Sequence, residues 1–130
     1  MPTATEPSRW YFASTVENEA ATDKTILQFE TAMANKLVLL ESVAVQQTGG
    51  TAASFQPRVF DVAAGANASI NERYKATSVL AAELSHENEI LVEVLLDTDA
   101  RAYLQPSPSS GADNDYDYAV SFSPCRRLGA

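Results

Sequence analysis

The chain predicts an all-β protein: a single β-sandwich of jelly-roll type with extended N- and C-terminal arms. Three observations carry that expectation. Apolar runs recur at intervals of roughly 10–15 residues, several of them alternate with a period of two, and they are separated by Gly, Asn, Asp and Pro rather than by helical stretches. At 130 residues and 45% hydrophobic content, the chain is the size of one domain that buries about two thirds of its unfolded surface. The expected organisation is an N-terminal arm at 1–8, the sandwich at 9–123 and a C-terminal arm at 124–130.

In order along the chain, "RWYFASTV" puts Trp10, Phe12 and Val16 on one side and Arg9, Tyr11 and Thr15 on the other, the pattern of a first strand. "KTILQFET", around Phe29, is shorter and mixed. "KLVLLESVAVQQ" is apolar on both faces at its start and alternates later, which suits a central strand. Gly49 and Gly50 then mark a turn into "ASFQPRVFDV", so the two segments read as a hairpin; Pro57, which lacks a ladder donor, favours an edge or a bulge.

"AAGANAS" is a loop of small residues. In residues 71–85, Leu80, Ala81 and Leu84 have helical spacing, but Tyr74, Thr77, Val79 and the short length favour strand. "EILVEVLLDTDA" places Ile90, Val92, Val94 and Leu96 on one face, and "RAYLQP" adds a short strand stopped by Pro106 and Pro108. In "GADNDYDYAVSFSPC", Tyr116, Tyr118, Val120 and Phe122 share one face while Asp115, Asp117 and Ser121 share the other, so this acidic, tyrosine-rich stretch reads as a strand entered through an "SSGADN" turn.

Charge narrows the partners. Nine Lys plus Arg against seventeen Asp plus Glu leave a net charge of -8, which repels a phosphate backbone; nucleic acid is not an expected partner. Cys125 is the one cysteine, so no intrachain disulfide can form. "MPTATEPSRWYF" has neither the basic start nor the apolar run of an export signal, and no window approaches the ~18 apolar residues of a membrane-spanning helix; no membrane association is expected.

Asp113, Asp115 and Asp117 repeat the acidic spacing with which a helix-loop-helix calcium site begins. Tyr118 and Pro124 stand where that loop needs its glycine and its bidentate glutamate. A looser calcium site of turn carboxylates and backbone carbonyls stays open. His86, the single histidine, sits among charged residues in "LSHENEI" and reads as an exposed turn, which argues against multi-histidine metal sites and against Ser-His or Cys-His catalysis. Glycosidase chemistry needs only two suitably separated carboxylates and is not excluded by composition, but no motif supports it. The expectation is a non-enzymatic protein with no catalytic residue, metal or cofactor. Trp10, with Tyr11 and Phe12, reads as core before it reads as a sugar-stacking platform. Arg126 and Arg127 stand together on an acidic chain, either solvated or as a hook for carboxylates on a neighbour.

"SVAVQQTGGTAASFQPRVFD" followed by "ILVEVLLDTDARAYLQPSPSSGADNDYDYAVSF" resembles the strand-turn-strand pattern of small structural proteins of tailed bacteriophages, over roughly residues 37–123. The "AYLQP" strand, the "SGADND" turn and the alternating aromatic strand resemble the close of head-decoration (cement) and related virion β-sandwich domains. This resemblance implies a protein made in the host cytoplasm and carried on the phage head surface, with the major capsid protein as partner and a homo-oligomer, dimer or trimer, as its form. Arg9, Trp10, Arg126 and Arg127 become candidate subunit or shell contacts. Two alternatives remain: a carbohydrate-binding module using Trp10 or the tyrosines around Tyr116, and a tail or baseplate subunit.

Overall fold

A computed structural model describes residues 9–19, 25–51, 53–61, 71–106 and 114–125. The expected terminal arms, apart from Pro124 and Cys125, lie outside the described residues. So do "AAGANAS", the "SSGADN" turn up to Asp113, Arg126 and Arg127. The described elements are β1 (Trp10–Glu19), β2 (Thr25–Gln28), a 3-10 turn (Thr31–Met33), β3 (Leu37–Gly49), β4 (Ser54–Phe55), β5 (Arg58–Phe60), β6 (Glu72–Lys75), β7 (Val79–Leu80), β8 (Leu84–Glu87), β9 (Val92–Leu95), β10 (Arg101–Gln105) and β11 (Asn114–Pro124). The chain is all-β, as expected.

The larger sheet runs β1-β11-β3, with β8 and β9 sharing the far edge of β3 one after the other. The smaller runs β2-β10-β5-β6, and β4 pairs with β7 apart from both. β3 is central because its apolar residues meet partners on both edges: β11 along nearly its whole length, β8 and β9 on the other side. Its inward residues Val38, Leu40, Val43 and Val45 are essentially inaccessible. They join Tyr116, Val120 and Phe122 of β11 and Leu27, Val59, Ala102 and Leu104 of the smaller sheet in one core. Phe12, Phe29 and Phe122 meet there edge to face or tilted, with centroids 5.0 to 6.0 Å apart, and fasten β1 over the end of β2.

The stretch from 71 to 85 folds as strand, in short pieces: β6, β7 and the start of β8, with Tyr74, Ala76 and Ser85 turned inward. The expected hairpin after β3 does not form. Both edges of β3 are already taken, and Gly50, at a φ of 110°, turns the chain away while the Thr51 amide donates to Asn114 Oδ1 at 3.0 Å. A Cβ on Gly50 would lie 2.7 Å from the Asn114 Cα, so this approach requires glycine. The chain crosses to the smaller sheet, where β5 pairs with β10 and β6. Pro57 lies between β4 and β5, and its carbonyl accepts the Ala76 amide at 2.9 Å.

Candidate functional site

Two irregularities of the larger sheet fall side by side. Between β11 and β3, Ser121 faces Ser42 and Phe122 faces Leu40, so Glu41 is an extra residue, a bulge that turns Glu41 and Ser42 toward the outer face. On the other edge, Val43 faces Glu87 and Leu40 faces Val92, so residues 88–91 span the space of Glu41 and Ser42 alone. The Ile90 amide bonds the Glu41 carbonyl at 3.0 Å, pinning this inserted stretch at its middle. Glu89 and Leu91 are forced to φ values of 57° and 55°, a conformation that L-residues with large side chains resist.

The paired bulges open a cleft of about 310 Å³ on the outer face, lined by Arg9, Glu41, Ser42, Asn88, Glu89, Leu91 and Ser121. The Arg9 guanidinium bridges Glu41 at 2.9 Å, and the hydroxyls of Ser42 and Ser121 hydrogen-bond to each other at 2.6 Å. Asn88 Oδ1 contacts His86 Nε2 at 3.1 Å. This arrangement offers carboxylates, an amide, a guanidinium and hydroxyls to a polar ligand or partner, with Leu91, 59% exposed, as the apolar contact. Among the described residues no group of three or more His, Cys, Asp or Glu could hold a metal ion.

Beside the cleft the outer face carries a second, shallower depression of about 200 Å³ lined by Ala44, Gln46, Leu84, Asp117, Tyr118 and Ala119. Ala13, Ala119 and Ala44 lie in register across three strands, ending at His86 on β8. Exposed leucines collect along the β8–β9 edge: Leu84, Leu91, Leu95 and, directly opposite Leu95, Leu37. Tyr11, the most exposed of the large apolar side chains, lies at the β1 side of the same face, opposite Ser121.

Of the residues singled out from the sequence, Arg9 forms a wall of the cleft. Trp10 points the other way: its Nε1 donates to Glu30 Oε1 at 2.6 Å and its ring packs on Phe29 with centroids 5.4 Å apart, which is the core reading. Tyr116 is fully buried and offers no open sugar platform, whereas Tyr118 is half-buried against the core, which raises its hydroxyl above its ordinary value, and lines a depression of the outer face. Asp115 and Asp117 lie on the outward side of β11, and Asp117 accepts the Thr15 hydroxyl at 2.7 Å. His86 is exposed as expected, but in strand β8 rather than a turn. The Cys125 thiol is half-buried and donates to Glu93 Oε2 at 3.3 Å.

Shifted titrations lie away from the cleft. At the turn between β9 and β10, burial and the Asp97 carboxylate push Tyr103 up to about 12, its hydroxyl donating to Asp97 Oδ2 at 2.5 Å. Burial works to raise Asp97, but hydrogen bonds from Tyr103 and from the amides of Asp99 and Arg101, with the Arg101 charge, outweigh it and hold the carboxyl below its ordinary value. These bonds brace the turn between β9 and β10.

Sequence reasoning missed Glu41, Ser42, Asn88, Glu89, Leu91 and Ser121 as one site. The available signal was polar residues interrupting two apolar alternations, "LLESVAV" and "SHENEILV", but only the pairing of β3 with β8 and β9 brings these interruptions together. No family model matches the chain, and no curated protein is significantly similar to it.

Proposed function

We propose that this chain is a non-enzymatic structural protein of a phage particle, a decoration or cement protein that binds the outer surface of the head and clamps neighbouring major capsid subunits. The observation that carries the reading is the open face of the larger sheet, where Leu37, Leu84, Leu91 and Leu95 form an exposed apolar margin beside a strained, charge-lined cleft. Apolar surface gathered on one face is the feature of a docking surface, since each Å² buried contributes roughly 25 cal/mol. Glu89, on the cleft wall, would select a basic group on the shell. A modest contact repeated by capsid symmetry then becomes a firm clamp. The sequence resemblance to head-decoration domains supports the same assignment, and the four leucines replace Trp10 as the expected shell contacts.

The test is to purify intact particles and count copies of the chain against the major shell protein, then measure binding of purified chain to undecorated heads. Near-stoichiometric copies are expected, and Leu84→Glu with Leu95→Glu should weaken head binding roughly tenfold or more at unchanged circular dichroism. A handful of copies per particle indicates the tail or baseplate instead, and absence from particles overturns the virion reading. The polar lining of the cleft favours one second reading, a carbohydrate-binding module, and a glycan array separates the two.

A further inference from the structure

We infer that the outer edge of β1 pairs with β1 of a second copy of this chain, the two strands running antiparallel about a two-fold axis at Ala13. The proposal is independent of the capsid reading. Among the described residues β1 pairs with β11 alone, which makes it the edge of the larger sheet, and it is ten residues long. Proteins commonly blunt such an edge with proline, lysine or an early bulge. From Trp10 to Val16 this strand has none of them; its only irregularity comes after Val16. Side chains on both of its faces are open: Ala13 and Thr15 on the outer face and Ser14 on the inner face are exposed, and Phe12 and Val16 are only partly covered.

A two-fold axis normal to the sheet brings like faces together, so the choice of axis fixes every cross-strand pair. With the axis at Ala13, Trp10 meets the partner's Val16, Phe12 the partner's Ser14, and Tyr11 the partner's Thr15, while Ala13 meets itself with little bulk. Arg9, the cation beside a strand that has none of its own, bridges Glu41 at 2.9 Å within the chain but is 64% exposed. On pairing it lies opposite the partner's Glu17, once on each side of the axis, and exchanges the Glu41 carboxylate for that one. Moving the axis one residue toward the N-terminus sets Arg9 opposite Thr15 and Phe12 opposite itself. Moving it one residue the other way pairs Arg9 with Glu19 by carrying the ladder across the whole irregularity between Val16 and Glu19, whereas the Ala13 axis uses the regular strand from Trp10 to Val16 and reaches only Glu17, at the start of that irregularity. The Ala13 register therefore satisfies both charge and apolar pairing. It also joins two larger sheets into one continuous sheet with both outer faces on the same side.

Sedimentation of the full chain over a concentration series tests this. A dimer is expected; a chain that stays monomeric into the millimolar range overturns the proposal, and so does a trimer, because antiparallel edge pairing closes at two copies. Arg9→Glu or Glu17→Arg alone should weaken the dimer roughly tenfold or more, and the two together should restore it. A dimer indifferent to these changes uses another surface. Where a charge variant folds poorly, cross-linking decides: in a Cys125→Ser background, Ala13→Cys should give a disulfide-linked dimer under mild oxidation and Glu17→Cys should not. The reverse pattern overturns the register.

Discussion

Leu91 holds a left-handed backbone conformation with more than half its side chain in solvent. For an L-residue with a Cβ this conformation costs about 1–2 kcal/mol, and so little of the side chain is buried that its packing returns only part of that. Glycine pays no such penalty but frees the unfolded chain by about 0.5–1 kcal/mol. Leu91→Gly is therefore expected to be neutral or to stabilise the fold by up to about 1 kcal/mol, whereas Leu95→Gly, at a regular strand position with similar exposure, should destabilise it by about 1 kcal/mol. Urea midpoints at unchanged m-value compare the two. An equal loss in both would mean that Leu91 is held by packing, not strained. Retaining leucine at a strained, exposed position fits a residue kept for what it touches outside the chain, so the same Leu91→Gly protein should bind heads less well.

At the scale of the element, strands whose burial pattern is local were legible. β1, β9 and β11 were readable because Trp10 and Phe12, Val94 and Leu96, and Tyr116, Val120 and Phe122 each keep one face inward at a period of two. β3 declared itself central through apolar residues on both faces. The hairpin after Gly50 was misread because a glycine pair reports that the chain turns, not which sheet it enters next, and the occupancy of both β3 edges is a long-range fact. The cleft was illegible for the same reason, since Glu41 and Asn88 become neighbours only through strand pairing. The turn between β9 and β10 is a local device with a local prediction. Asp97 accepts two amides and the Tyr103 hydroxyl, so Asp97→Ala should cost about 1–3 kcal/mol. Its carboxyl stays ionised in the folded chain at a pH where the unfolded chain, near 3.8, takes up a proton. This contribution is present above that value and is lost as pH falls through the lower folded one. The gap between wild type and Asp97→Ala in urea midpoint should therefore narrow on acidification; a constant gap would assign the loss to packing.

Across the whole molecule, the two sheets are stitched along both flanks by an aromatic donor and a glutamate from opposite sheets. On one side the Trp10 indole of β1 donates to Glu30, just beyond β2; on the other the Tyr74 hydroxyl of β6 donates to Glu87 of β8 at 2.8 Å. The indole keeps its proton at any ordinary pH, but the phenol does not, so the flanks differ in their response to alkali. Burial, then the hydrogen bond to Glu87 and its charge, raise Tyr74 well above the ordinary 10.0, and burial with Asp97 pushes Tyr103 up to about 12. An unfolded chain gives up these protons near 10.0 while the folded chain still holds them. The folded state then binds more protons, and the stability these groups contribute, fully present below 10.0, is lost as pH rises toward their folded values. Tyr74→Phe removes one such group together with its hydrogen bond. At neutral pH it should destabilise the fold by about 1 kcal/mol; as pH climbs, wild type should lose that advantage and the two urea midpoints should converge. Phenolate absorbance recorded alongside would show tyrosine ionisation accompanying the loss of structure in wild type. Equal midpoints for wild type and Tyr74→Phe at neutral pH would mean that Tyr74 stabilises the flank through its ring alone and that the hydroxyl bridge between the sheets contributes nothing; a wild-type lead that persists unchanged into strong alkali would mean that the hydroxyl's contribution does not depend on its proton.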